Sequence, residues 1–147
     1  MSETYAHTAT CRFQVASWSE EPYVDIDGEG TTAGEAYYPR RGLTTARVGY
    51  AYTGEVEATS KLSYLIGYHP DGGPVLGLEQ LTGSVGGHEG SCVLRHTGRQ
   101  DAGTVSAHLE VLEGMGTGGL ETLRGEAELR IAGHSEDGYE LVLHYDL

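Results

Sequence analysis

The sequence predicts an all-β protein, and three observations carry that expectation. Apolar residues recur with period 2 along most of the chain, as in Val48, Tyr50 and Tyr52, in Leu62, Tyr64, Ile66 and Tyr68, and in Tyr139, Leu141, Leu143 and Tyr145. The 23 glycines sit between these alternations, against 4 prolines, which marks tight turns rather than a low-complexity linker. No stretch carries the 3.6-residue repeat of an amphipathic helix. About eight strands with short connections fit a closed, antiparallel, up-and-down barrel of lipocalin-like build, because closure leaves no unpaired edge; a β-sandwich is the alternative.

The strands follow in order. Residues 8–18 put Cys11, Phe13 and Val15 on one face and Arg12 and Gln14 on the other. Over about 19–42 the periodicity lapses into an acidic stretch, a Gly/Thr-rich stretch and then Tyr-Tyr-Pro-Arg-Arg. A segment that long in a small domain reads either as a lid, with Tyr37, Tyr38, Arg40 and Arg41 at its working end, or as a disordered surface excursion. Residues 43–53 and 56–68 are the next strands, with Leu65 breaking the alternation of the second. His69-Pro70-Asp71-Gly72-Gly73 is a turn. Residues 76–85 and 91–97 then form a hairpin across 86–90, where adjacent glycines supply positive φ. A strand at 105–111, a glycine-rich bend at 113–119, a short helical turn at 120–123 and strands at 125–132 and 139–145 complete the chain. Residues 1–147 are thus expected to form one barrel domain.

Composition narrows the partners. A chain of 147 residues with net charge −13 repels phosphate backbones and anionic bilayers, so nucleic acid and membrane are poor partners. The N-terminal MSETYAHTAT has no basic or apolar signal region, no run is long enough to span a bilayer, and Cys11 and Cys92 do not make a disulfide framework. The expectation is a cytoplasmic protein with reduced thiols.

The candidate chemistry centres on the hairpin. Glu79 stands on its first arm and His96 on its second, and a carboxylate beside an imidazole is a usable acid/base pair. Parity alone leaves their facing open. The competing reading makes His96 a satisfied barrel histidine and pairs Glu79 with an arginine such as Arg95. Tyrosines number 10 against one Phe and one Trp. Tyr50, Tyr52, Tyr64, Tyr68, Tyr139 and Tyr145 fall on the apolar parity of their strands. They are expected either to line a lumen and hold a ligand by stacking and hydrogen bonding, or to pack in the core or a subunit interface.

Metal and cofactor signals are weak. Histidines at 7, 69, 88, 96, 108, 134 and 144 show no zinc spacing. Asp25-Ile26-Asp27-Gly28-Glu29 lacks most of a calcium loop, and GMGTGG lacks the context of a phosphate loop. Ser17, Ser63 and Ser91 lack a nucleophile elbow, and Cys92 has no helix N-terminus to activate it. Neither a metal nor a cofactor is expected.

Four segments, TGEVEATSKLSYLIGYHPDG, GLEQLTGSVGGHEGSCVLRHTG, GMGTGGLETLRGEAEL and YELVLHYDL, resemble a family of small bacterial proteins of unknown function. That family is similar in fold to plant allene oxide cyclase, an eight-stranded barrel with a hydrophobic lumen. The resemblance covers 54–147 and the strand ending in Trp18-Ser19-Glu20-Glu21-Pro22-Tyr23, while the longer 25–42 segment departs from it. It implies the barrel but transfers no activity, since related barrels include both cyclases and proteins with no known chemistry. The functional expectation is an apolar small molecule bound in the lumen, with a cofactor-free cyclase or isomerase acting on a polyene or polyketide-like compound as the sharper form. The alternatives are a non-catalytic small-molecule-binding barrel, or a structural barrel that forms homo-oligomers through an apolar outer face. An open lumen with a titratable group favours the enzyme; a lumen filled by side chains favours the structural barrel.

Overall fold

The computed structural model describes residues 4–33, 36–133 and 135–147; residues 1–3, residues 34 and 35 of the lid candidate, and His134 lie outside the described residues. Eleven strands follow in chain order: β1 (His7–Asp25), β2 (Gly30–Ala33), β3 (Ala36–Pro39), β4 (Gly42–Gly54), β5 (Val56–Tyr68), β6 (Gly73–Val85), β7 (His88–Asp101), β8 (Thr104–Val111), β9 (Thr117–Gly118), β10 (Arg124–Ala132) and β11 (Tyr139–Asp146). Eight of them close on themselves in the order β1-β4-β5-β6-β7-β8-β10-β11 and back to β1, every neighbour antiparallel. This is the up-and-down barrel that the alternation predicts, not a sandwich. β9 is a short addition to β7, at Gly90↔Gly118 and Ser91↔Thr117. Among the described residues no helix is long and apolar enough to cross a membrane.

The segment at 19–42 corrects the sequence reading. Residues 19–25 continue β1, which pairs with β4 from Cys11↔Gly54 to Asp25↔Gly42. The pairing slips between Val15 and Ser17 and again between Pro22 and Val24. Each slip inserts a residue and reverses the apparent parity, so a period-2 scan loses phase there although the strand continues. The remainder is a hairpin, β2 against β3, in register from Gly30↔Pro39 to Ala33↔Ala36. It is tied back by Ile26 N–H to the Arg41 carbonyl at 2.9 Å and Arg40 N–H to the Glu29 carbonyl at 2.8 Å.

Two turns also differ. Val85 pairs with His88, so the central hairpin turns on Gly86 and Gly87 alone, with φ of +56° and +85°. Two successive positive φ values make a twist-matched two-residue turn, which side chains with a Cβ resist. At 120–123 the amides of Leu120, Glu121 and Leu123 each bond the carbonyl three residues back, giving tight turns that bury Leu120 and Leu123.

The inward residues form one packed cluster that includes Phe13, Tyr50, Tyr64, Val75 and Leu109. A cavity lined by Tyr52, Leu81, Cys92, Leu94, Leu109 and Leu141 holds about 20 Å³, room for roughly one water. The lumen is therefore a core filled by side chains. The wall is incomplete on one side. β10 and β11 pair only from Arg124↔Asp146 to Ala127↔Leu143, and β1 meets β11 only as far as Phe13↔Tyr139. Beyond Ala127↔Leu143 β10 leaves β11 and opens a seam along the first half of β11, while β1 pairs with β11 to its first residue and runs on past it.

Candidate functional site

The register of the central hairpin decides the facing that parity left open. Gly77 lies opposite His96 and Glu79 opposite Leu94, so Glu79 and His96 are diagonal neighbours on the inner face. Both are 0% exposed. His96 Nε2 lies 2.8 Å from Glu79 Oε1, and the Tyr52 hydroxyl donates to Glu79 Oε2 at 2.6 Å. Tyr64 OH lies 3.0 Å from His96 Nδ1, and Tyr50 OH lies 3.1 Å from Tyr64 OH. One proton assignment satisfies the whole chain: Tyr50 donates to Tyr64, Tyr64 to Nδ1 of a neutral imidazole, and Nε2–H to the Glu79 carboxylate. Gly77 makes the arrangement possible, because a Cβ there would stand 2.6 Å from the Tyr64 ring. Arg95 points outward to Glu110 at 3.0 Å, which removes the Glu79–Arg95 pairing from consideration.

The surroundings are electrostatically consistent with a buried carboxylate. Burial, and after it the charge of Glu79, raises the Tyr52 hydroxyl well above the usual phenol range. Burial likewise raises Tyr50 and Tyr64. Burial pushes the Cys11 thiol up to about 11, helped by Glu55 and Glu79, and burial with Glu79 pushes Cys92 up to about 12. Both thiols are protonated at neutral pH and therefore poor nucleophiles. An imidazole and a carboxylate flanked by phenols can pass a proton along their shared axis.

A second polar cluster sits where β1 outruns β11, and the sequence reading missed it. The Glu20 carboxylate accepts from Trp18 Nε1 at 3.0 Å, from Thr44 Oγ1 at 2.6 Å and from the Tyr68 hydroxyl. Burial comes first in raising the Tyr68 hydroxyl, then its bond to Glu20. The Tyr38 ring lies 6.1 Å from that of Tyr68, and burial followed by the Glu20 charge raises its hydroxyl too. A signal was present: Trp18, Glu20 and Pro22 alternate, and Thr44 shares the parity of Ala46 and Val48.

The other candidate residues disperse. Tyr139 packs 5.4 Å from the Phe13 ring and donates its hydroxyl to the Gly133 carbonyl, at the seam. Tyr145 lies beside His7, with ring centroids 5.3 Å apart. Neither hydrogen-bonds to the Glu79–His96 chain. Tyr37 donates to Asp25 at 2.6 Å, while Arg41 pairs with Asp27 at 2.5 Å and Arg40 with Asp27 at 3.3 Å. Three of the four lid candidates are therefore held by acids of their own segment, and Tyr38 alone leans on the mouth. Asp25 and Asp27 spend their oxygens on these donors. Among the described residues, no three His, Cys, Asp or Glu side chains gather where they could hold a metal ion.

Together these features define a closed eight-stranded barrel whose packed lumen carries a continuous Tyr–Glu–His–Tyr–Tyr chain. The chain belongs to the family described as protein of unknown function (DUF3224), whose family model matches residues 9–143. Its fold is similar to the crystal structure of a protein of unknown function from that family from Shewanella oneidensis MR-1. The two share 22% identity with a TM-score of 0.67, over 95% of this chain and 96% of that one. No curated protein matches this chain.

Proposed function

We propose that the barrel takes up a small, largely apolar molecule against Glu79 and His96, and that this pair exchanges a proton with it in a cofactor-free isomerisation or ring closure. The observation that carries this reading is the pair itself: a carboxylate and an imidazole, hydrogen-bonded to each other and to buried phenols, and wholly out of water. Replacing such a pair by packed hydrophobes is commonly neutral or stabilising, so stability is a poor reason for it. Proton transfer is what the pair can do and a leucine cannot. Tyr52 and Tyr64 stand ready to donate to a carbonyl or enolate oxygen that displaces one of their partners. Entry is by the mouth at Trp18, Glu20 and Tyr68, where β1 runs past the start of β11 without a strand partner on that side. In such a reaction the barrel would hold a flexible polyene or polyketide-like compound near its reacting geometry.

One observation favours a second reading. The enclosed space of about 20 Å³ cannot hold such a compound without opening, which suits a non-catalytic barrel whose polar chain belongs to its core. Native mass spectrometry of the purified protein, with extraction and identification of retained compounds, separates the two. A stoichiometric apolar compound, turned over by the wild type and not by Glu79→Gln, supports the first. A protein that retains nothing, and whose melting temperature no apolar library compound raises, leaves the second standing.

A further inference from the structure

The outer wall of β4, β5 and β6 carries two adjoining depressions, the second reaching the mouth at Trp18. Leu65, Leu76 and Leu78 project outward, 50%, 49% and 56% exposed, and line an almost wholly apolar depression of about 420 Å³. Ser63 and Leu78 are shared with a second depression of about 510 Å³, which Trp18, Arg47, Gly49 and Lys61 also line. The second exists because the wall is irregular there. β1 slips after Val15, the β4–β5 pairing skips from Val48↔Leu62 to Ala51↔Thr59, and a Cβ on Gly49 would stand 2.8 Å from Ser17 Oγ.

The charges at this place are unusual for the molecule. Of the nine Lys and Arg in a chain of net charge −13, Arg40, Arg41, Arg95 and Arg124 sit in ion pairs with carboxylates, Arg12 and Arg99 donate to backbone carbonyls, and Arg130 stands alone on β10 without an ion pair among the described residues. Arg47 and Lys61, exposed diagonal neighbours on β4 and β5, have no carboxylate within 4.0 Å among the described residues. By register Glu21 is the outward acid nearest Arg47, and no salt bridge joins them. An acidic protein thus leaves two adjacent cations free at the end of an apolar trough.

We infer that this wall binds an amphipathic organic anion, its charged head between Arg47 and Lys61 and its apolar body across Leu65, Leu76 and Leu78. Charge complementarity selects this occupant. A second copy docked through a two-fold axis over the leucines would leave Arg47 and Lys61 of both copies at the rim of the contact, with no role for either cation. An anionic bilayer would meet the full repulsion of the chain's net charge, whereas a single small anion meets the local field of the two cations.

Three ten-carbon probes with one tail test it: decanoate, decanol and decyltrimethylammonium, all below their micellar concentrations. The single tryptophan, Trp18, lines the cationic depression and reports binding by fluorescence, with stoichiometry from calorimetry. Decanoate is expected to bind one to one, at least tenfold tighter than decanol, with the ammonium compound weakest. Arg47→Ala with Lys61→Ala erases the preference for decanoate over decanol. Leu76→Ser with Leu78→Ser weakens both, with circular dichroism confirming an intact barrel. The inference is overturned if decanoate binds no tighter than decanol, or if neither double variant changes its affinity. It is equally overturned if sedimentation shows a dimer of the free protein that the leucine variant dissolves, or if binding appears only with anionic vesicles.

Discussion

The two halves of the lumen are built by the same alternation of inward residues and yet differ in kind. Toward the Gly86–Gly87 turn, Val56, Leu81, Val85, Leu94, Leu109 and Leu143 fill the barrel as an ordinary apolar core. Toward the mouth, the same inward positions carry Tyr50, Tyr52, Tyr64, Glu79 and His96, and beyond them Trp18, Glu20, Thr44 and Tyr68. The first half needs no partner for its side chains. In the second, every polar atom of the Glu79–His96 chain must be matched, because an unmatched one would meet neither water nor a donor. The apolar half can lose a methylene and sag; the polar half fails when one member is removed.

The largest effect should come from breaking the polar half unevenly. Glu79→Leu or His96→Leu alone strands the partner and is expected to cost about 3–5 kcal/mol by urea denaturation. The double variant should recover part of that loss, because no carboxylate or imidazole is then left unpaired, although the Tyr52 and Tyr64 hydroxyls lose their acceptors. Additive losses in the double variant would show that the pair does not act as a unit. In the apolar half, Leu143→Ala, whose neighbours across the sheet are Ala9 and Ala127, should cost about 2–5 kcal/mol through its cavity, with no coupling to either residue.

Alkaline titration sharpens the same contrast. The phenols of Tyr50, Tyr52 and Tyr64 have folded-state values raised by burial above the ordinary value of about 10. A raised folded-state value contributes stability that is complete below the ordinary value and is lost as pH climbs through the raised one. The unfolding midpoint should therefore fall above about pH 10. Tyrosinate absorbance should show these phenols ionising only together with unfolding. Should all ten tyrosines titrate near pH 10 in a protein that stays folded, the buried chain is not as described.

Sequence alone carried the barrel, because period 2 survives wherever strands run without slips. It also placed Glu79 and His96 on adjacent arms of one hairpin, although their diagonal contact depends on a register fixed by the two-residue turn at Gly86 and Gly87. The Glu20 cluster was hidden for a different reason. The slip after Val15 changed the phase of the alternation, so Trp18 read as the end of a strand and Glu20 as part of a loop when both continue β1. Leu65 was visible as a break in its strand's alternation, and the structure turns that break into part of an apolar outer wall. The seam between β10 and β11 had no sequence signal, since the alternation of each strand continues beyond Ala127↔Leu143, where their pairing stops.

The smallest effect tests whether the lumen's polar atoms are held to the same standard outside the Glu79–His96 chain. Ser60 faces inward opposite Leu81, and its hydroxyl is the one buried side-chain polar atom without a hydrogen-bond partner among the described residues. Ser60→Ala removes that hydroxyl and adds no volume, so stability should stay level or rise by up to ~1 kcal/mol. The same substitution logic at Thr44, whose hydroxyl serves Glu20, predicts a loss of about 1–3 kcal/mol for Thr44→Val because a carboxylate loses a donor. Comparing the two by urea midpoint separates a hydroxyl that the mouth needs from one that the wall merely contains. A loss at Ser60 as large as that at Thr44 would mean that a bound water or ligand group satisfies Ser60, and would make the β4–β5 break beside it part of a binding site.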